Sequence, residues 1–303
     1  MMFSDCQIST PGKWILTGEH AVLRGKSAIV FPMMSRRFIL DYQAENTPLD
    51  IHFTGMMSDT LIQSFWEGMD RALLRLKLKR SDLSGHFVAN NQIPVGSGMG
   101  ASAALSVTLA RWFAHQKKLK PEKITEFATD IEHLYHGKSS GLDIAGVQSK
   151  NGIIFSRGKS KPLQIRWQPN FALSFSEETG NTAQCIAKVQ QIQENHPELA
   201  LKIDEQMQQS CDIAEQALQE TRETGLNKLI EAMELGLQCF QQWGLVRNKM
   251  AEHIEILKQR GAFAVKPTGS GNGGYVISLW ANTIPADLHS VSIEVSDSPT
   301  EEL

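Results

Sequence analysis

Apolar and polar positions in the first half of the chain follow both strand and helix periods. Residues 27–40 are rich in β-branched and apolar side chains and residues 49–54 alternate, so both segments are predicted strands. Apolar residues return at helical spacing over 59–78 and 101–116, which predicts two helices. Residues 85–93 form a further predicted strand that leads into a proline and a glycine-rich turn.

The second half of the chain shows mainly helical periods. Apolar residues recur at three-residue steps over 183–192, and Pro197 is expected to break or restart that helix. A further apolar stripe over 226–240 predicts another helix, whereas residues 262–280 return to a strand, a glycine-rich loop and a second strand. This mixture of elements fits an α+β protein of two lobes.

Length and composition agree with two lobes of an ordinary globular protein. The chain has 303 residues, of which 41% are hydrophobic, and a domain typically takes roughly 100–200 residues. We expect the lobes to comprise residues 1–160 and 161–303. The 30 basic and 33 acidic residues leave a net charge of −3 with no basic excess, so a nucleic-acid partner is not expected.

Cysteine usage and the absence of long apolar runs bear on location. The four cysteines lie far apart without a C-x-x-C pair, which is typical of free thiols in a reducing compartment. No apolar run approaches the ~20 residues of a membrane span, and no export signal is evident, so we expect a cytoplasmic protein with no membrane partner. The basic cluster at residues 71–80 favours the solvated face of an amphipathic helix over a phosphate or membrane patch.

The most informative stretch is PVGSGMGASAAL, residues 94–105. Pro94 ends the preceding strand, Gly96, Gly98 and Gly100 open a turn, and small residues from Ala101 onward start a helix. Glycines let the backbone wrap closely around an anion, and the start of a helix offers unpaired N–H groups and the positive end of its dipole. The pattern indicates phosphate binding.

Known phosphate-loop templates fit this stretch only in part. The Walker form fails because no lysine follows Gly100. The dinucleotide-binding form G-x-G-x-x-G/A matches at Gly96, Gly98 and Ala101, but the acidic residue expected about 20 positions later is missing from a strand end. A phosphate cradle of another family and a plain tight turn both remain open.

A second glycine-rich segment, KPTGSGNGGY, occupies residues 266–275. Gly269, Gly271, Gly274 and Val276 match the protein-kinase loop G-x-G-x-x-G-x-V. Only 27 residues follow Val276, and neither H-R-D nor D-F-G occurs in the chain, so a protein kinase is excluded.

Two further segments carry candidate chemistry. In PGKWILTGEHAVLRG, residues 11–25, we expect a Pro-Gly turn before Lys13, then an apolar strand, then the polar pair Glu19 and His20. In EHLYHGKSSGLD, residues 132–143, Asp143 closes a Ser-Ser-Gly turn, where aspartate is also common for conformational reasons.

In order along the chain, these four segments resemble the motifs of the GHMP kinase superfamily. Residues 11–25, 94–105 and 266–275 look like its first, second and third motifs, and HGKSSGLD resembles the catalytic segment of its mevalonate kinase branch. The resemblance implies a two-lobed α+β fold, with a left-handed βαβ unit in the N-terminal lobe and a ferredoxin-like C-terminal lobe. It also implies transfer of the γ-phosphoryl group of ATP to the primary hydroxyl of mevalonate.

The resemblance assigns roles to individual residues. Asp143 would accept the proton of the substrate hydroxyl, and Lys13 would stabilise the developing alkoxide and keep Asp143 ionised. Ser102 and Glu132 would bind Mg²⁺ through oxygen. The nucleotide phosphates would be held by Pro94, Gly96, Ser97, Gly98, Met99, Gly100, Ala101 and Ser102 and by Gly269, Ser270 and Gly271. The substrate pocket would be lined by Lys13, Glu19, His20, Ser140, Asp143 and Thr268.

The sequence departs from the superfamily pattern at two positions. Ala101 replaces the first serine of the second motif, so one phosphate hydrogen bond is expected to be lost, while Ser102 is kept. Asn272 stands where glycine or another small residue is common, and asparagine tolerates a left-handed backbone. Phosphomevalonate kinase, another small-molecule kinase of the superfamily and a non-catalytic nucleotide sensor remain alternatives. A homodimer is common in relatives.

Overall fold

A computed structural model describes residues 3–56, 58–136, 139–281, 284–285 and 290–293. The chain forms two compact units, each assembled from separate stretches of sequence. The first comprises Met1–Lys13, Pro32–Val95 and Met99–Gln148, and the second comprises Trp14–Phe31, Gly96–Gly98 and Ser149–Leu303. The predicted division after residue 160 stays a prediction.

The first unit packs helices against a mixed sheet. Its strands are β1 (Cys6–Thr17, of which residues 6–13 belong here), β2 (Ala28–Pro48, from residue 32), β3 (Asp50–Gly55) and β4 (Ser84–Asn91). Its helices are α1 (Ser58–Leu76), α2 (Ala101–His115), α3 (Ile124–His136) and α4 (Leu142–Gln148). β4 pairs antiparallel with β2 and parallel with β3, so β3, α1 and β4 form a βαβ unit.

Aromatic side chains fill the core of the first unit. Tyr42, Phe87 and Trp112 contact one another with ring centroids 4.9 to 5.2 Å apart, and Phe65 adds a further edge contact to Phe87. Each of these four side chains is almost wholly buried, so they supply much of the apolar area that holds α1 and α2 on the sheet.

Arginines of the basic cluster at residues 71–80, which begins in α1 and continues past its end, form intramolecular ion pairs. Arg71 donates two hydrogen bonds of 3.1 Å to Asp130 of α3, and Arg75 contacts Glu126 of the same helix at 2.7 Å. Arg80 pairs with Asp70 at 2.6 Å. The cluster therefore has a structural use in joining α1 to α3, in addition to the solvated face that the sequence predicts.

The second unit contains an antiparallel sheet and a layer of long helices. Its described strands include β5 (Ile153–Ser156), β6 (Lys159–Pro162), β7 (Asn170–Phe175), β8 (Ala264–Pro267), β9 (Tyr275–Trp280) and β10 (Ser290–Ile293). Four of them form a sheet in the order β10-β7-β9-β8. Its helices are α5 (Thr182–Asn195), α6 (Pro197–Gln219), α7 (Arg222–Gln242) and α8 (Asn248–Gln259).

Most of the predicted elements are confirmed, with ends that shift by a few residues, except that the strand predicted to end at residue 40 continues to Pro48 as β2. Pro197 restarts the helix as expected, because it occupies the first position of α6, where its missing N–H costs nothing. Ala101 begins α2, and Gly96, Gly98 and Gly100 all adopt positive φ angles of 69 to 80°. Asn272 also adopts a left-handed backbone, with φ at 53°, as expected.

The predicted turn at Pro11 and Gly12 is wrong, because both residues lie inside β1. Gly12 is needed there for close packing: a Cβ at this position would stand 2.9 Å from the carbonyl oxygen of Met99. A Pro-Gly pair usually indicates a turn, but here the glycine makes room for a neighbouring backbone within a strand.

All four cysteines are free thiols, as predicted, and three of them are buried. Within the part of the chain that the structure describes, none of the helices combines the length and apolar character needed to cross a bilayer.

Candidate active site

The centre of the first unit's candidate site is an ion pair between Lys13 and Asp143. The Lys13 Nζ lies 2.8 Å from Asp143 Oδ1. The lysine side chain is 2% exposed, whereas the aspartate is 32% exposed. The carboxylate therefore faces solvent in part, while the ammonium approaches it from inside the protein. The two residues to which the resemblance assigns the chemistry are in direct contact.

The end of the second-motif loop shapes the space around Lys13. Met99 accepts a hydrogen bond of 2.9 Å from the backbone N–H of Lys13. A Cβ on Gly100 would stand 2.8 Å from Lys13 Cγ and 3.3 Å from a methyl carbon of Val147 in α4. Glycine at this position, with its φ of 80°, lets the start of α2 pack directly on the lysine stem.

The Ser-Ser-Gly segment sets the position of Asp143. Ser140 Oγ accepts a hydrogen bond of 3.2 Å from the N–H of Leu142, and Ser139 Oγ accepts one of 3.1 Å from the N–H of Gly141. These hydroxyls satisfy N–H groups at the start of α4, which places Asp143 in the first helical turn. The described contact of Ser140, a predicted substrate residue, is thus with the helix start.

Glu132 lies buried next to this pair. Its side chain accepts a hydrogen bond of 3.2 Å from Ser139, and the residue is 1% exposed. Burial, followed by the negative charge of Asp143, raises the pKa of Glu132 to about 8, while the Ser139 hydrogen bond and the charge of Lys13 oppose the shift. Ser139 is a contact that the sequence analysis missed, because nothing in a Ser-Ser-Gly pattern shows which hydroxyl faces α3.

The raised pKa of Glu132 predicts a pH-dependent stability of the metal-free protein. The folded protein holds the Glu132 proton more tightly than the unfolded chain, whose glutamate has a pKa of about 4.5. This contribution to the free energy of unfolding is complete below about pH 4.5 and is lost as the pH rises through about 8. Replacement by Gln removes the titration, so we expect the stability of Glu132→Gln to vary less with pH over this interval.

Urea unfolding in the presence of a chelator, between about pH 5 and pH 8, measures this difference. Glu126→Gln is the matched control, because Glu126 lies on the same helix with its side chain exposed. Equal pH profiles for Glu132→Gln and the wild-type protein would contradict the assignment of a buried proton to Glu132.

In the second unit, the two glycine-rich loops contact each other through their backbones. A Cβ on Gly98 would stand 3.1 Å from Cα of Gly269, and a Cβ on Gly274 would stand 3.0 Å from the carbonyl oxygen of Ser97. Side chains at these glycines would separate the loops. Segments that are about 170 residues apart in sequence are therefore adjacent, as expected if both serve one ligand.

The first-motif residues of this unit also contact the third motif. His20 Nε2 lies 2.9 Å from the carbonyl oxygen of Ser270, and a carbonyl can only accept, so Nε2 carries the proton. Burial lowers the pKa of His20 to about 4, which leaves the ring neutral at physiological pH. The Thr268 hydroxyl accepts from the Ile15 N–H and donates to the Ile15 carbonyl, both at 2.9 Å.

Glu19, the remaining predicted substrate residue of this unit, pairs with a residue that the sequence analysis did not single out. Its Oε1 accepts a hydrogen bond of 2.7 Å from Nζ of Lys266, and both side chains are almost completely buried. From the sequence, a lysine before a glycine-rich loop is interpreted as a surface residue. Only the fold shows that Lys266 points inward.

Two residues of the first unit carry side-chain oxygen atoms that are suited to binding a divalent cation. Ser102 lies in the first turn of α2, and Glu132 is a buried carboxylate without a cation at hydrogen-bond distance among the contacts described. A hydroxyl and a carboxylate are ligands that Mg²⁺ prefers, together with water and phosphate oxygens. Among the described residues, no group of three or more His, Cys, Asp or Glu side chains is gathered to hold a metal. The donor set fits an ion that takes few protein ligands.

Comparisons with known proteins show similarity in both sequence and fold. Residues 65–149, which contain the second-motif loop and Asp143, match the family "GHMP kinases N terminal domain". The mevalonate kinase of Pyrococcus horikoshii is 28% identical over 293 residues, which cover 89% of this chain and 87% of that protein.

Two solved structures show the fold. Mevalonate kinase of L. major, crystallised with R-mevalonate, superimposes with a TM-score of 0.79 at 21% identity and covers 97% of this chain and 98% of its own. Phosphomevalonate kinase of Streptococcus pneumoniae, in complex with phosphomevalonate and AMPPNP, gives 0.71 at 16% identity, with 92% and 93% coverage. In sequence and in fold, the chain is similar to the GHMP kinase superfamily and, within it, to the mevalonate kinases.

Proposed function

We infer that this protein is an ATP-dependent kinase that phosphorylates the primary hydroxyl of mevalonate, giving 5-phosphomevalonate in the mevalonate pathway of isoprenoid biosynthesis. The observation that carries the chemistry is the contact between the buried Lys13 ammonium and the partly exposed Asp143 carboxylate. The curated mevalonate kinase from P. horikoshii aligns along nearly nine tenths of the chain, which supports the choice of acceptor.

Asp143 is the proposed general base. Its carboxylate takes the proton of the acceptor hydroxyl as the oxygen bonds to the γ-phosphorus of ATP, and the bond from that phosphorus to the bridging oxygen breaks to release ADP. Lys13 places a fixed positive charge beside the oxygen that becomes negative, which stabilises the transition state. The low exposure of Lys13 makes this charge effective, because less water screens it.

The loop from Gly96 to Ser102 is the proposed cradle for the ATP phosphates. Positive φ angles at Gly96, Gly98 and Gly100 turn the backbone, and α2 then starts at Ala101, so the positive end of the helix dipole lies at the loop. Gly269, Ser270 and Gly271 form the second part of the proposed nucleotide site. The contact between Gly98 and Gly269 supports this pairing of loops.

Ser102 and Glu132 are the proposed ligands of Mg²⁺, which would neutralise phosphate charge in the transition state when bound. The buried position of Glu132 and its raised pKa support this role, because a nearby cation would favour its ionised form. Lys13, Asp143, Glu19, His20, Ser140 and Thr268 are proposed to act on the acceptor side. The hydroxyl contacts of Ser140 and Thr268 described above favour a role in holding the backbone at Leu142 and Ile15.

We also propose that the protein is cytoplasmic and assembles as a homodimer. The free thiols support a reducing compartment. The homodimer is proposed from the superfamily resemblance alone.

Phosphomevalonate kinase is the second candidate, because the S. pneumoniae enzyme shares the fold over most of both chains. The test is ADP release with Mg-ATP and, in turn, mevalonate, phosphomevalonate, homoserine and galactose, with Asp143→Asn as the blank. Turnover on mevalonate that the variant loses is the expected result. Turnover on phosphomevalonate alone would overturn the choice of acceptor. The absence of ADP release with all four acceptors would overturn the proposed reaction.

A further inference from the structure

Lys266 is a fully buried lysine that the proposed chemistry does not use. It lies in β8, directly before the third-motif loop, and is 0% exposed. Its Nζ donates hydrogen bonds of 2.7 Å to Glu19 Oε1 and of 2.6 Å to the carbonyl oxygen of Pro267. The ammonium also lies 5.2 Å from the centre of the Phe240 ring, within the range of a cation–π contact.

The fold makes specific room for the lysine stem. Gly236 of α7 passes so close that a Cβ there would stand 2.9 Å from Lys266 Cε and 3.2 Å from Cδ. A side chain at residue 236 would therefore displace the lysine from its present path. The helix face, the ring of Phe240 and the carboxylate of Glu19 together define one position for the ammonium.

A buried ion pair of this kind is weak grounds for a stabilising role. Removing both charges from water opposes folding, and well-packed apolar replacements of such pairs are often neutral or stabilising. A pair with two directional hydrogen bonds does, however, fix the position of each partner. The role of Lys266 and Glu19 therefore depends on which segments the pair holds in place.

The pair joins the first motif to the third motif within the second unit. Glu19 precedes His20, whose Nε2 bonds the carbonyl oxygen of Ser270, and His20 packs on the same Phe240 ring as Lys266, with ring centroids 5.9 Å apart. The φ angle of His20 is 58°, in the left-handed region, so this turn needs outside contacts to keep its conformation. Glu19 and Lys266 supply one such contact beside it.

We propose that Lys266 is a positioning residue for acceptor binding: through its hydrogen bond to Glu19 it holds the Glu19–His20 turn in the conformation that binds the acceptor. This inference rests on the proposed function, in which Glu19 and His20 act on the acceptor side. Lys266 itself is enclosed by protein and acts through Glu19.

The experiment compares Lys266→Met, Glu19→Gln and the double variant in acceptor kinetics and in thermal unfolding. Lys266→Met leaves a buried carboxylate without its ammonium, so we expect it to lower the melting temperature and to raise KM for mevalonate roughly tenfold or more. KM for ATP is expected to stay within about twofold. In the double variant both charges are gone, so the melting temperature should recover while KM for mevalonate stays high.

Glu19→Gln is itself expected to raise KM, so positioning is separated from simple stabilisation by comparing the double variant with Glu19→Gln. If Lys266 acts only through Glu19, these two variants have the same KM for mevalonate. Recovery of KM together with the melting temperature in the double variant would overturn the proposal, as would an unchanged KM in Lys266→Met. Lys228→Met is the matched control, because its Nζ bonds Glu220 at 2.5 Å in the same unit, away from both motifs. We expect its KM to be unchanged. Failure of the wild-type protein to use mevalonate would instead count against the proposed function.

Discussion

Replacing Asp143 with asparagine is expected to lower kcat for mevalonate phosphorylation roughly 10²–10⁴-fold while Mg-ATP still binds. Asparagine keeps the shape of the side chain and its place in the first turn of α4, but its amide cannot take the hydroxyl proton. The Lys13 ammonium also loses the negative charge of its partner at 2.8 Å. Steady-state kcat with mevalonate, beside calorimetric binding of Mg-ATP, measures both parts of this prediction.

Asp130→Asn is the control for loss of an aspartate from an ion pair. Asp130 accepts two hydrogen bonds from Arg71 within the same unit, but it joins α1 to α3 and has no place in the proposed chemistry. We expect its kcat to match that of the wild-type protein within about threefold. A kcat for Asp143→Asn that falls no further than that of Asp130→Asn would remove the base assignment.

Periodicity predicts the elements well where burial is one-sided. The strand β4 and the helix α7 have apolar faces that follow their own repeat, and the structure confirms them, whereas the confirmed helix α2 is buried on nearly every side. The predicted turn at Gly12 is wrong because of a long-range contact. Sequence alone cannot show that the backbone of Met99 approaches this glycine, because the two residues are far apart in the chain.

The candidate site is predictable only as far as its motifs reach. Taken alone, Lys13 would be interpreted as a surface lysine and Asp143 as a turn residue. The prediction depends on the order of these two residues and the two glycine-rich loops along the chain. The motifs do not reveal that Lys266 turns inward, because a lysine stem has no apolar period of its own to indicate burial. They also do not show that the hydroxyls of Thr268 and Ser140 bond backbone groups at Ile15 and Leu142.

Replacing Lys13 with methionine is the second change with a large expected effect. Methionine fills nearly the same volume, so the packing of Gly100 on the stem should persist while the ammonium is lost. Removing one preorganised charge from a transition state typically costs 10²–10³ in kcat, and we expect a loss of about that size here. Steady-state kcat with mevalonate is the measurement. Lys123→Met, which breaks an exposed pair with Glu126, is the matched control.

The double variant Lys13→Met/Asp143→Asn decides whether the two residues act together. If the ammonium stabilises the oxygen from which Asp143 takes the proton, each residue is of use only with the other present, and the double variant should be little slower than the slower single variant. If Lys13 only offsets the negative charge of Asp143 in the folded protein, Asp143→Asn removes the charge that needs it. The double variant should then be more stable than Lys13→Met, with losses in kcat that multiply. Losses in kcat that multiply would therefore mean that Lys13 stabilises the fold and that Asp143 acts as the base without it.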